Sequence, residues 1–192
     1  MPRPSPQFDP SVIARAKLGD DSAQEALYRA FSPMVFTLAR RMLASHSLAE
    51  DVLQDTFVAV ILNISKFRGD AELGAWIKRI AVNRCLSHLR SAWSLRRVAQ
   101  DDIEPGVYER NRAEDQLALE RALDTLPGLT RAVVWLHDVE GYTHKEIGAL
   151  MGRSTSFSKS QLARAHERLR VSLDGALEDS ALTLCIHQLK IC

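Results

Sequence analysis

The sequence predicts an all-α protein with two helical domains joined by a polar linker. Apolar residues recur at the 3.6-residue period of an α-helix through nearly all of the chain, and no convincing stretch has the two-residue period of a β-strand. A polar stretch that contains the breaker pair Pro105 and Gly106 interrupts the helical pattern. The 192 residues suffice for two domains, because roughly 80 residues can bury an adequate core.

The interruption sets the predicted boundaries: a first domain at residues 8–93, a linker at 94–112, a second domain at 113–174 and a C-terminal tail at 175–192. Net charge is close to zero, with 25 Lys and Arg against 24 Asp and Glu, so it neither requires nor excludes a nucleic-acid partner. Basic residues nevertheless predominate between residues 153 and 170. That local pattern is what a DNA-binding helix needs.

Nothing in the sequence indicates export or a membrane. No apolar run approaches the roughly 20 residues that span a bilayer. The first ten residues include several prolines and lack the apolar stretch of a secretory signal. The cysteines are odd in number, and Cys85 is distant along the chain from Cys185 and Cys192, which argues against a disulfide framework. We therefore expect a cytoplasmic protein with no membrane insertion.

The first domain is predicted to contain an amphipathic helix around residue 55. Four apolar side chains share one face of it by the helical period: Leu53, Phe57, Val60 and Ile64. Three polar side chains share the opposite face: Asp51, Gln54 and Asp55. One face is therefore expected to pack, which leaves the other free.

A second helix is predicted from residue 75 to residue 90. It has a broad apolar arc: Ile77, Ala81, Cys85, Leu86 and Leu89. Another side of the same helix aligns a mixed stripe of aromatic, aliphatic and polar groups: Trp76, Ile80, Asn83 and Ser87. The apolar arc is expected to face the core.

The second domain is predicted to contain a helix-turn-helix. Thr143 and Glu146 have the spacing of a capping box at a helix start, Gly152 fits a left-handed helix end, and Ser154 fits the cap of the next helix. That next helix has an inward face of Leu162, Ala165 and Leu169 and an outward face of Ser156, Ser160, Ala163 and Arg164. A helix, a glycine-containing turn and a basic helix together make this motif.

These segments resemble a known family. Three are similar in order and spacing to region 2 of the extracytoplasmic-function (ECF, group IV) sigma factors of the sigma-70 family: AEDVLQDTF at 49–57, FRGD at 67–70 and WIKRIAVN at 76–83. Three others resemble region 4 of that family: LP at 126–127, VEGYTHKEI at 139–147 and KSQLARA at 159–165. Two motif sets in the right order across a linker are more specific than one helix-turn-helix match.

The resemblance implies a fold, a function and partners. The fold would be a region 2 helical bundle followed by a region 4 helix-turn-helix. The function would be to bind core RNA polymerase, through the β′ clamp helices and the β flap, and to direct promoter-specific transcription initiation by −35 recognition and −10 melting. Promoter DNA and an anti-sigma factor would be the other partners, with no cofactor and no catalytic residue.

The resemblance also implies a role for the polar helix face. Asp51, Gln54 and Asp55 would meet the polymerase clamp helices, which present basic residues in this family, and complementary charge favours encounter and register. The alternative interpretation is a solvated helix face, which is the usual meaning of such charges.

For the −10 element, the resemblance points to five residues that would open the duplex and hold a flipped base: Asn63, Phe67, Trp76, Ile80 and Asn83. Aromatic and amide side chains supply the stacking surface and hydrogen bonds that a flipped base requires. Five basic residues would neutralise phosphates: Lys66, Arg68, Lys78, Arg79 and Arg84. For Phe67 and Trp76, ordinary core packing is the alternative.

For the −35 element, the resemblance points to the outward face of the second helix of the motif: Ser156, Lys159, Ser160, Ala163 and Arg164. The sequence departs from the family at Ser156, Phe157 and Ser158, where a Gly, a Thr and an apolar residue are usual. Ser158 projects inward by periodicity, so its hydroxyl needs a partner, for which the carbonyl four residues earlier is the candidate.

Two other classes of function remain alternatives. A stand-alone helix-turn-helix transcriptional regulator would account for the second domain but not for the first. An enzyme is disfavoured, because the six histidines lie scattered along the chain and no nucleophile, phosphate-binding loop or metal-spaced cluster stands out. Cys185, His187 and Cys192 could ligate zinc, but they lack a fourth ligand, so an apolar tail without metal is expected.

Overall fold

The computed structural model describes residues 9–96 and 114–172, which are helical apart from short turns and loops and contain no strand. The chain divides into two compact units, with the division after His88. The predicted all-α fold with two helical domains is therefore confirmed. Among the described residues, no helix combines the length and the apolar character needed to cross a membrane.

The first unit is built from four helices and one short 3₁₀ turn. They are α1 (Pro10–Lys17), α2 (Asp21–Leu43), α3 (His46–Asn63), the 3₁₀ turn (Ile64–Lys66) and α4 (Leu73–Arg96), whose last turns lie beyond the division. Asp20 caps α2 by accepting a hydrogen bond from the backbone of Ala23, and Ser45 caps α3 in the same way. Between them, Ala44 adopts a left-handed conformation that ends α2.

The core of the first unit is aliphatic and aromatic. Its fully buried side chains come from α2, α3 and α4 and include Phe31, Val35, Met42, Val52, Ile77 and Leu86. On α3, the predicted inward residues Phe57, Val60 and Ile64 are buried, whereas Leu53 is half-buried. The predicted apolar arc of α4 is likewise buried apart from the half-buried Leu89.

The second unit contains the predicted helix-turn-helix. Its elements are α5 (Glu114–Asp124), α6 (Gly128–Val134), a π-helical turn (Trp135–Val139), α7 (His144–Met151) and α8 (Thr155–Ser172). Both bonds of the Thr143 and Glu146 capping box are present, and Gly152 has φ +64° at the end of α7. Leu136, Ile147 and Leu169, one each from the π-turn, α7 and α8, are fully buried.

Helix α4 is longer than its sequence pattern predicted, since it runs from residue 73 to residue 96 rather than from 75 to 90. Residues 94–96, the start of the predicted linker, are its last residues. The rest of that linker and the predicted tail at 175–192 lie outside the described residues. The predicted domain boundaries therefore stay predictions.

Candidate nucleic-acid and protein interfaces

The outer face of α3 is acidic and apolar. Asp51, Gln54 and Asp55 are exposed, as the sequence predicted, and within the described residues their side chains form no hydrogen bond or ion pair. Apolar side chains extend the same surface along the helix: Leu48, Val58, Ile61 and Leu62, which are 36%, 56%, 45% and 72% exposed. We call these seven residues the α3 surface. Val58, Ile61 and Leu62 are neighbours on the helix surface, and exposed apolar side chains grouped in this way are typical of a site that binds another macromolecule.

The apolar part of the α3 surface was not predicted from the sequence. A signal for it existed, because residues 48, 51, 55, 58 and 62 follow one another at helical spacing. Helix α3 is apolar around much of its circumference, however, so periodicity alone did not separate the buried apolar residues from the exposed ones.

The loop before α4 brings two of the candidate −10 residues together. The ring centroid of Phe67 lies 5.4 Å from that of Trp76, with an angle of 46° between the rings. Phe67 is only 8% exposed, so its ring packs as the alternative interpretation expected. Trp76 and Ile80 are half-buried, and Asn83 is exposed further along α4.

Asn63 is held at the end of its own helix. Its Nδ2 donates to the carbonyl oxygen of Ala59 at 2.9 Å, and its Oδ1 accepts from Nζ of Lys66 at 3.1 Å. The amide is therefore engaged locally. Lys66, Arg68, Arg79 and Arg84 are exposed, and Lys78 is half-buried.

The outer face of α8 matches the sequence prediction. Ser156, Lys159, Ser160, Ala163 and Arg164 are all exposed, whereas Leu162, Ala165 and Leu169 are buried. Ser154 caps the helix by accepting a hydrogen bond from the backbone of Phe157 at 3.1 Å. The side chains that the sequence assigned to DNA therefore share one solvent-facing helix surface.

The turn between α7 and α8 is fixed by a close backbone approach. A Cβ atom at Gly148 would lie 2.9 Å from the carbonyl oxygen of Arg153 and 3.2 Å from the carbonyl of Ser154. Such a contact leaves no room for a side chain, so glycine allows the two helices of the motif to approach each other. Phe157 lies beside this turn, with the guanidinium carbon of Arg153 5.8 Å from its ring centroid.

Ser158 is fully buried, and its hydroxyl is paired, but not as the sequence suggested. Its Oγ lies 3.0 Å from Nδ1 of His144 on α7, rather than against the carbonyl of residue 154. A local helix bond was the candidate because it needs no tertiary information. The imidazole binds instead because the turn at Gly152 folds α7 onto the start of α8.

A buried carboxylate connects the π-turn to α8. The side chain of Asp138 is 2% exposed; its Oδ1 lies 2.7 Å from Nδ1 of His137, and its Oδ2 lies 2.8 Å from Nε2 of His166. The His137 ring stacks on His144, with centroids 4.4 Å apart. Three of the histidines that are scattered along the sequence therefore meet in the fold, which sequence spacing did not predict.

Two pKa shifts follow from this network. Burial raises the pKa of Asp138, but hydrogen bonds from His166 and His137 and the charge of both rings outweigh it and hold this pKa below its ordinary value. Burial lowers the pKa of His144, and the charges of His137 and Lys159 lower it further, against the charge of Asp138. The network thus favours an ionised carboxylate and a neutral His144.

Comparison with known proteins accounts for both units. A family model of sigma-70 region 2 matches residues 27–95, and a model of sigma-70 region 4 matches residues 116–169. The chain is 32% identical over 161 residues to the ECF RNA polymerase sigma factor SigM of Mycobacterium tuberculosis, covering 84% of this chain and 82% of the relative. It is also 32% identical over 178 residues to the RNA polymerase sigma factor CarQ of Myxococcus xanthus, covering 86% and 97%.

The fold itself has a solved counterpart. The sigma factor RpoE of Bartonella quintana, in complex with the anti-sigma factor NepR, superposes with a TM-score of 0.57 at 23% identity, over 82% of this chain and 99% of that one. At that identity the likeness concerns the arrangement of helices.

An all-α chain with a region 2 bundle followed by a helix-turn-helix defines a transcription initiation factor of the sigma-70 class. Within that class, the protein belongs to the ECF sigma factors, and it directs transcription initiation. A stand-alone regulator is excluded, because the first unit of this chain matches sigma region 2, which such a regulator does not need. Sigma factors are initiation subunits rather than enzymes.

Proposed function

We propose that the α3 surface binds core RNA polymerase, that α8 reads the −35 element, and that the α4 stripe captures a −10 base. The observation that supports this most strongly is the α3 surface. Two carboxylates lie there between large apolar side chains on one exposed helix face. A face that only contacts solvent does not require large apolar side chains, whereas a protein-binding surface does. The α3 surface is therefore better explained as a protein-binding site.

The polymerase partner of the α3 surface would be the β′ clamp helices. Basic residues on those helices complement Asp51 and Asp55, which would steer the encounter, while Val58 and Leu62 would supply the apolar contact. Through its second unit the factor would also contact the β flap. This assignment extends the sequence prediction by adding the apolar half of the interface.

Capture of the −10 base is assigned to the side of α4 that carries Trp76, Ile80 and Asn83. Unstacking a base costs a few kcal/mol, which an indole face and an amide can offset by stacking and hydrogen bonding. Phe67 is buried against Trp76, so we assign it to supporting the Trp76 ring. Asn63 would contribute to the −10 site by fixing the conformation at the end of α3, where its amide binds Ala59 and Lys66.

Recognition of the −35 element is assigned to the outer face of α8. Arg164 and Lys159 are exposed; the guanidinium of Arg164 can bond a guanine edge, and the ammonium of Lys159 can bond a phosphate. Ser156, Ser160 and Ala163 are small, so they allow the helix close approach to the major groove.

The remaining parts of the proposal follow from these assignments. The factor would act in the cytoplasm, where core polymerase is, without catalysis of its own, and melting energy would come from binding. Residues 8–93 and 113–174 would be the functional domains. An anti-sigma protein would restrain the factor by covering the α3 surface. The exposed apolar residues of that surface favour the binding of a protein partner.

The two DNA sites can be tested separately on one promoter. We expect Arg164→Ala to weaken duplex binding at the −35 element by about 1–3 kcal/mol and to relax specificity at one base pair. We expect Asn83→Ala to leave −35 binding unchanged and to reduce permanganate-reactive thymines in the −10 element. Arg121→Ala and Thr37→Ala, both on exposed helix faces, are the controls. Equal loss at both elements in either variant would contradict the assignment.

A further inference from the structure

We propose that Lys17, the last residue of α1, is a positioning residue for promoter melting: it holds the loop between α3 and α4 in the conformation that captures the −10 base. The proposal rests on the −10 site described above. Lys17 precedes the part of the chain that matches sigma-70 region 2, which begins at residue 27. The region 2 family model therefore does not include Lys17.

The contact that supports this is a hydrogen bond between segments fifty residues apart. Nζ of Lys17 donates to the carbonyl oxygen of Phe67 at 2.7 Å, and the same ammonium lies 5.8 Å from the centroid of the Phe67 ring. An ammonium donor makes a charge-assisted bond to a carbonyl, and the ring face adds a weaker attraction. Lys17 thus contacts both the backbone and the side chain of Phe67.

Helix α1 is itself fixed, so Lys17 presents its ammonium from a defined position. Arg15 donates to Asp20 at 2.7 Å and to Ser22 at 2.6 Å, which ties the end of α1 to the start of α2. Ala16 is 1% exposed, and its carbonyl oxygen accepts a bond from Gln24 at 3.4 Å. Helix α1 therefore connects α2 to the loop between α3 and α4.

The loop depends on this contact from α1, because the hydrogen bonds within the loop join only neighbouring residues. The backbone N–H of Phe67 donates to the carbonyl oxygen of Ile64 at 3.1 Å, directly after the 3₁₀ turn, and Gly69 adopts a left-handed conformation with φ +82°. The Phe67 ring packs on Trp76. A shift of Phe67 would therefore move the support of the indole that we assign to the flipped base.

The experiment uses the full chain assembled with core polymerase. Lys17→Met removes the charge and the donor but keeps the length of the side chain. Lys17→Arg keeps both charge and donor. Arg29→Met removes one exposed cation from α2, which pairs with Glu25, and is the matched control. Circular dichroism and core-binding affinity confirm that each variant is folded and assembled.

Two quantities are then measured for each holoenzyme. They are the rate of open-complex formation on duplex promoter and the affinity for a single-stranded −10 oligonucleotide labelled with a fluorescent base. We expect Lys17→Met to lower both by about 5-fold or more, with core binding and −35 duplex binding unchanged. We expect Lys17→Arg to recover most of the loss and Arg29→Met to match the unaltered chain. An unaltered rate and affinity in Lys17→Met, or an equal loss in Arg29→Met, would overturn the proposal.

Trp76→Ala, measured in parallel, separates this proposal from the one on which it rests. If Trp76→Ala loses single-stranded −10 binding and Lys17→Met does not, the −10 site stands and the positioning role is wrong. If neither variant loses it, the −10 assignment itself is wrong, and the positioning role falls with it.

Discussion

Nδ1 of His144 lies 3.0 Å from Oγ of the fully buried Ser158, so a side-chain bond joins the first helix of the helix-turn-helix to the helix assigned to the −35 element. Beside this bond, His144 stacks on His137, and His137 binds Asp138. Asp138 in turn binds His166 on α8. The orientation of α8 is therefore set at two places along its length, and each place can be tested.

Removing the hydroxyl of Ser158 should loosen the first of these places. We expect Ser158→Ala to lower the free energy of unfolding by about 1 kcal/mol, because one hydrogen bond is lost while the half-buried His144 can still reach water. Ser160→Ala is the matched control, since that hydroxyl is exposed and binds its own helix. Urea unfolding followed by NMR signals of α8 measures both variants. Equal stability of the two would contradict the role of the bond.

The second place depends on a buried carboxylate. We expect Asp138→Asn to destabilise the chain by about 1–3 kcal/mol, since an amide cannot accept hydrogen bonds from both His137 and His166 with the strength of a carboxylate. Glu167→Gln, which alters an exposed pair with Arg170, should change stability by less than about 0.5 kcal/mol. A comparable loss in both variants, measured by the same urea titration, would rule out a special role for Asp138.

The contribution of His144 to the stability of the second unit should be lost on mild acidification. Because the pKa of folded His144 is below its ordinary value of 6.5, the unfolded chain binds the proton more readily. The contribution of His144 is therefore complete above about pH 6.5 and is lost as pH falls toward the folded pKa. Between pH 7.5 and pH 5.5, we expect His144→Asn to lose less stability than the unaltered chain. Parallel pH profiles would show that His144 does not contribute.

The turn of the motif should not tolerate a methyl group. A Gly to Ala change in a helix normally stabilises it by up to about 1 kcal/mol. At Gly148, however, the new Cβ would lie 2.9 Å from a backbone carbonyl, which cannot rotate away. We expect Gly148→Ala to destabilise the chain by about 1–3 kcal/mol and to weaken −35 binding. A gain in thermal stability would mean that α7 and α8 can separate without loss.

The features that the sequence predicted well are those set by neighbouring residues. The capping box of Thr143, the left-handed Gly152 and the outward face of α8 each depend on spacings of one helical turn, and the structure has all three. The exposed acidic face of α3 was predicted for the same reason.

The features that the sequence missed depend on contacts between distant segments. The Asp138 bond to His166 joins residues 28 apart, and the Lys17 bond to Phe67 joins residues 50 apart. No periodicity connects such pairs, and only the packing of one helix on another brings them together. The choice between the two interpretations of Phe67, and the partner of Ser158, required the same tertiary information.

Transcription in vitro with purified core polymerase and a promoter library tests the polymerase-binding role of the α3 surface most directly. It compares the unaltered chain with a variant that carries Asp51→Ala, Gln54→Ala and Asp55→Ala, all on the exposed side of α3. We predict specific initiation by the unaltered chain, and loss of both core binding and initiation in a variant that stays folded. Undiminished core binding and initiation by the triple variant would contradict the assignment of the α3 surface to polymerase.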